Sequence, residues 1–303
     1  MLALLKETFR EFSEDEATRV AAALSYYTIF ALPPLLVLLI TIAGALWEPA
    51  DVQGRIEYQI RSLLGAEGAA GIRAMLENAN RPGAGGVLPT VLSAAALLFG
   101  ATGAFIQLQS ALNTAWDVKP DPRRGGVRNF LTKRLLSLGM ILGVGFLVLV
   151  SLALSALLTA AGESIERFLP EALSGAVLTV VQVVLSFVVV TALFAAIYKV
   201  LPDAVIQWRD VWIGAAVTGL LFVLGKFLIG FYIGQSDPGS AYGAAGSLAV
   251  ILVWVYYASL IVLMGAEFTQ VWARRRGVEI VPEPGAVATK ATADGLQARA
   301  DGG

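Results

Sequence analysis

The chain has 303 residues, 57% of them hydrophobic and 15% charged, with a formal net charge of -1 and neither histidine nor cysteine. So much apolar side chain exceeds what a soluble domain of this length can bury, and it places the chain in a lipid bilayer. The missing cysteines exclude disulfides and thiolate metal sites, and the missing histidines remove the commonest acid–base and metal-binding side chain.

At the start, Leu2, Leu5, Phe9 and Phe12 recur at helical spacing opposite Lys6, Glu7, Arg10 and Glu11. That pattern predicts a short amphipathic helix on the inner membrane surface. Ser13 followed by Glu16 has capping-box spacing and predicts a new helix starting there. Charge-poor apolar runs follow at about 20–46, 88–114, 135–161, 174–198, 211–234 and 244–272. Each is as long as the roughly 20 residues a helix needs to cross hydrocarbon. The expected fold is therefore an all-α integral membrane protein with six transmembrane helices. The first run is too long and too polar at its start for a cleaved signal peptide.

Pro33 and Pro34 fall near the middle of the first span. Proline removes an N–H donor, so the carbonyls of Ile29 and Phe30 lose their intrahelical partners and need others. The pair is read either as a hinge or cavity-lining break or as a static kink fitted to its neighbours.

Between the first two spans, Val52, Ile56, Ile60 and Leu63 form an apolar stripe. It predicts an outer surface helix, with a second near Ile72 to Ala79 after the glycine-rich break at 65–71. Packing over the outer face is the plainer role for these helices, and a lid is the sharper one.

Basic residues orient the chain. Segments 1–19, 117–134, 199–210 and 273–303 hold three, six, two and five of the 22 Lys and Arg, against four, one and none in 48–87, 162–173 and 235–242. This bias predicts that both termini are cytoplasmic. Lys119, Arg123, Arg124, Arg128, Lys133 and Arg134 are read as a topology anchor touching anionic headgroups, in preference to a nucleic-acid site. The tail 277–303, rich in Gly, Ala and Pro, is expected to be disordered, leaving 1–276 as one membrane domain.

Polar side chains within the spans fall into two sets. Ser151, Ser155 and Thr159 lie in the outer half with Thr179, Gln182, Ser186 and Lys226. Lys226 sits about 20 Å along the fifth helix. It either snorkels to the headgroups or offers a cationic contact to an anionic group. The inner half has Ser25, Tyr26, Tyr27, Thr28, Gln107, Gln109, Ser110, Asn113, Thr114 and Glu267. Such groups serve either as interhelical hydrogen bonds, worth about 0.6 kcal/mol on average, or together as two polar recesses meeting near mid-membrane. The candidate cavity contacts are Tyr26, Tyr27, Gln107, Asn113, Gln182, Ser186, Lys226 and Glu267.

Small residues four apart, Gly139 with Gly143, Ala215 with Gly219 and Gly230 with Gly234, suit close helix packing. They serve contacts within a protomer or between protomers, which leaves a homo-oligomer open. The loop SDPGSAYGAAGS at 236–247 lacks a P-loop pattern, so no nucleotide is expected. Acids such as Asp117, Asp121, Asp203 and Asp210 are interleaved with basic residues and read as ion pairs. Neither a metal site nor another cofactor is expected, and the chain is read as a non-enzyme.

The stretches AAALSYYTIFALPPLL at 21–36, FGATGAFIQLQSALNTAWDVKP at 99–120, LPDAVIQWRDVWIGA at 201–215 and SAYGAAGSLAVILVWVYYASLIVLMGAEF at 240–268 resemble the YihY/BrkB family of bacterial inner-membrane proteins. That family once carried the name ribonuclease BN. The resemblance implies six membrane helices and links to serum resistance and, for some members, to export of lipid or lipopolysaccharide precursors. The expected function is a carrier or flippase-like protein for a lipid, amphiphile or other envelope component, with membrane lipids as partners. A non-transporting envelope scaffold is the alternative, and a membrane enzyme a further one.

Overall fold

The computed structural model describes residues 2–43, 49–79, 87–121, 123, 139, 143, 171–236 and 245–289. Its helices are α1 (Leu2–Glu14), α2 (Ala17–Ala43), α3 (Pro49–Ala79), α4 (Val87–Ala115), α5 (Glu171–Val200), α6 (Trp208–Ser236) and α7 (Gly246–Arg275). Among the described residues, four stretches are long and apolar enough to cross a membrane: Ala17–Val37, Val183–Val200, Trp208–Lys226 and Gly246–Arg275. Helix α4, of 29 residues, occupies the second expected span. The third, 135–161, lies outside the described residues except at Gly139 and Gly143, and Ser151, Ser155 and Thr159 lie outside with it.

Helix α7 is the centre of the arrangement, packing against α1, α2, α3, α4 and α6, while α5 packs on α6. Its sequence allows this because Gly265, Ala266 and Ala273 keep it narrow where neighbours approach, and all three are buried. Along the bundle runs a chain of rings from Trp116 through Tyr198, Phe194 and Phe222 to Trp254, with successive centroids 5.6, 6.4, 5.8 and 6.0 Å apart. Such edge-on and offset contacts add directional attraction to burial.

The prolines do not interrupt α2, which stays helical from Ala17 to Ala43 around Pro33 and Pro34. The Pro34 ring faces Gly100 of α4, where a Cβ would lie 2.8 Å from its Cγ. Pro34 thus stands where α2 and α4 come together. The outer segment matches its expected break: within α3, Gly65 takes φ 72° and ψ -173°, a conformation open to glycine. Helix resumes directly after it, earlier than Ile72, and Leu64, Ile72 and Leu76 pack with Ile29, Leu36, Ile251 and Trp254.

Two expectations are corrected. Ser13 is in the last turn of α1, so it does not cap α2; the chain breaks at Asp15 and Glu16 instead, where Glu16 has φ 49°. On α1, Leu4 packs against Phe268 and Val271 of α7, while Leu2, Leu5 and Phe9 are exposed. Beyond Arg276 the chain does not become irregular at once. Strand β1 (Val118–Pro120) pairs antiparallel with β4 (Ala286–Ala288), and β2 (Ala204–Val205) with β3 (Val281–Pro282). Two interhelical loops thereby gain backbone partners that Gly- and Pro-rich composition did not suggest; 290–303 lies outside the described residues.

Candidate functional site

Leu263, Glu267, Gln270 and Arg274 follow one another at spacings of four, three and four, which sets them on one face of α7. That face meets the start of α2 and the end of α4. Between them lies a small recess of about 10 Å³, room for about one water, lined by Asp15, Ala17, Ala111, Thr114, Leu263 and Glu267 among others. Alanines at 17 and 111 leave this room because they carry little side chain.

Glu267 is 1% exposed and lies beside Asp15, close enough for the two carboxyls to hydrogen-bond when one is protonated. Its Oε2 has no hydrogen-bond partner among the described residues, and the same holds for Oε1 of Gln270 one turn away. Burying acceptors without donors is costly, so the site is poised to take one. Burial first, and the charge of Asp117 second, push the Asp15 carboxyl up to about 6 from its ordinary 3.8, while its bond to Glu267 acts the other way.

Around this pair stands an ionic collar. Asp117, at φ 53°, follows α4; its Oδ2 accepts from Gln270 Nε2 at 2.9 Å and lies 3.6 Å from Arg274 Nη2. Arg274 also reaches Glu11 of α1 at 3.1 Å, Arg275 reaches Glu7 at 2.6 Å, and Arg276 pairs with the wholly buried Asp210 of α6. The basic triplet Arg274 to Arg276, counted among the basic residues of segment 273–303, ties α7 to α1 and α6. A second knot lies beside it: Gln109 Nε2 and Asn113 Nδ2 donate to the two oxygens of Asp203 at 3.0 and 2.8 Å, and the Asp203 N–H donates to Asn113 Oδ1 at 2.8 Å.

Of the expected cavity contacts, Glu267 lines the recess and Asn113 holds the Asp203 loop. Gln107 and Lys226 are half-buried, and Ser186 is exposed. Tyr26 and Tyr27 are 58% and 47% exposed, beside exposed Phe30, and so stand on the outside of α2. No ion pair or hydrogen bond reaches Lys226 among the described residues, and the side chain of Gln182 lies outside them. Of the expected anchor, Arg123 is exposed, and Arg124, Arg128, Lys133 and Arg134 lie outside the described residues. Asp15 and Gln270 were missed. Gln270 was findable from its spacing to Glu267, whereas Asp15 reaches the site only through the break between α1 and α2.

The family model for the virulence factor BrkB matches residues 8–289. The chain belongs to the BrkB family. Among similar proteins, this BrkB-family chain is 32% identical over 86% of its length to a UPF0761 membrane protein of Alcanivorax borkumensis, and covers 58% of that protein. It is 30% identical over 86% of its length to one of Azotobacter vinelandii, covering 60% of it. It is 25% identical over 91% of its length to the ribonuclease-like protein YfkH of Bacillus subtilis, covering 97% of it. The chain therefore spans about three-fifths of the length of the UPF0761 proteins it matches. No solved structure matches it. It is a membrane protein of the BrkB family.

Proposed function

We propose that this protein is a carrier of flippase type for a lipid or other amphiphilic envelope component, working as a six-span bundle in the bacterial inner membrane with both termini cytoplasmic. The observation that carries this reading is Glu267: a buried carboxyl within a spanning helix, one oxygen unpaired, opening on a recess. Ionisable groups in hydrocarbon cost at least about 2.5 kcal/mol on insertion scales, and where they occur they mark substrate or ion pathways and proton relays. The half-buried Lys226, farther along α6, suits an anionic headgroup. Transport would be passive, ion-coupled or dependent on a partner, since no ATP motif stands in the sequence.

A specific observation favours the scaffold reading. In the bundle interior, Tyr198 Oη donates to the Val262 carbonyl at 2.7 Å and lies 2.9 Å from Thr218 Oγ1. Thr218 and Thr269 bond the carbonyls of Gly214 and Gly265 at 2.8 and 2.6 Å. These polar groups satisfy one another and leave nothing for a cargo. The test is reconstitution of the purified chain into vesicles with a fluorescent anionic phospholipid. The carrier reading expects labelled lipid to cross leaflets faster than in protein-free vesicles; equal rates would favour the scaffold.

A further inference from the structure

We propose that Asp15 and Glu267 form a proton-binding site in which one proton, shared between the two carboxyls, holds the corner between α1 and α2 against α7. The inference goes beyond the carrier reading and stands whether or not an amphiphile moves.

Three observations meet here. The first is their position: Asp15 and Glu267 line one small recess, close enough for a hydrogen bond, and since two ionised carboxylates have no hydrogen to share, such a bond needs a proton on one of them. The second is the unpaired, fully buried Oε2 of Glu267, an acceptor still open to a donor. The third is the recess, which touches both residues and gives the proton a way to water.

The surrounding charges favour the same ligand. From α1 come Glu11 and Glu14, and from the end of α4 comes Asp117, all repelling a second negative charge on the pair. Arg10 pairs with Glu11 and Glu14, and Arg274 with Glu11 and Asp117. Among the described residues no cation pairs with Asp15 or Glu267, so the pair is not neutralised by a fixed partner. No group of three or more acids there has the arrangement to hold a metal ion. A proton is the cation this geometry accepts.

The consequence is mechanical. When the proton leaves, it passes through the recess to water, and two like charges face each other inside a site that solvates neither. Repulsion then drives Asp15 away from α7. Asp15 lies at the break between two helices, with Glu16 already at φ 49°, so the corner can swing without unwinding either helix. Proton occupancy thus sets whether the inner end of α2 is closed on α7.

Infrared difference spectra of the purified full chain in lipid nanodiscs, recorded as pH is lowered, test this. Expected is a carboxyl C=O band that titrates in two separated steps, as hydrogen-bonded acid pairs do. The band should shift when heavy carbon labels either aspartate or glutamate carboxyls. Both steps should be lost in Asp15→Asn with Glu267→Gln, and return in Asp15→Glu. A single step in the ordinary carboxylate range would overturn the proposal. So would a band that persists in the double variant, or one that follows sodium concentration at fixed pH. Labelled wild-type protein decides the matter even if the double variant does not fold.

Discussion

Thr269 of α7 occupies the space that any side chain at Gly214 of α6 would need: a Cβ built on Gly214 falls against the Thr269 hydroxyl. The hydroxyl is fixed, since it donates to the Gly265 carbonyl at 2.6 Å in a fully buried site. Gly265 is in the same position toward Thr218, so the two helices approach through reciprocal glycine and threonine contacts.

Gly214→Ala is therefore expected to destabilise the α6 and α7 contact by about 1 to 3 kcal/mol, the usual cost of overpacking. Thermal unfolding of the detergent-solubilised protein should show a lower midpoint for Gly214→Ala, and none of that loss for Gly54→Ala, where nothing lies within 4 Å.

Asn113 and Asp203 give a second prediction. Asn113→Leu removes one donor to the Asp203 carboxylate and the acceptor for its N–H, at a cost of about 1 to 3 kcal/mol for partners left unmade. Limited proteolysis should cut the 201–207 loop faster in this variant than in wild type. Equal cutting would show that Gln109 and the β2–β3 pairing hold the loop without Asn113.

Asp210 is wholly buried with Arg276 as its ion-pair partner. Arg276→Gln strands that carboxylate, and stability should fall by about 3 kcal/mol or more, as for other buried pairs broken on one side. Asp210→Asn combined with Arg276→Gln should recover much of the loss, because the buried charge goes with its partner. A double variant no better than the single one would deny the pairing its role.

Much of this was legible in the sequence. Apolar run length located α2, α4, α5, α6 and α7, and Gly65 marked the break in α3, because span length and glycine conformation are local properties. Glu267 was legible as a polar group in the inner half of the last span and as a candidate cavity contact. Its meaning was not, since Asp15 and Asp117 converge on it from positions 252 and 150 residues away, and no periodicity encodes that meeting. Tyr26 and Tyr27 looked like cavity residues because they are polar within an apolar run, yet amphipathic rings also stand at helix exteriors. The strands beyond Arg276 escaped notice because two- and three-residue pairings depend on loops distant in sequence.

Acid pH should stabilise the inner corner. The folded Asp15 carboxyl titrates at about 6 against an ordinary 3.8, so the folded chain holds a proton in that window that the unfolded chain has lost. The cost of ionising Asp15 is present in full above about 6 and is relieved as pH falls toward 3.8. The melting temperature of wild type relative to Asp15→Asn should rise as pH falls through about 6. A difference independent of pH would mean that Asp15 ionises as freely folded as unfolded.

The central claim is that the Glu267 carboxyl beside its recess is a working group and not a packing accident. The direct measurement is leaflet-to-leaflet movement of a fluorescent anionic phospholipid in vesicles carrying equal amounts of wild-type, Glu267→Gln or Glu267→Leu protein. The account predicts accelerated movement with wild type and a loss of about tenfold or more with Glu267→Leu, equivalent to about 1.4 kcal/mol in the barrier. Movement at the wild-type rate in Glu267→Leu, with its insertion and melting unchanged, would contradict it.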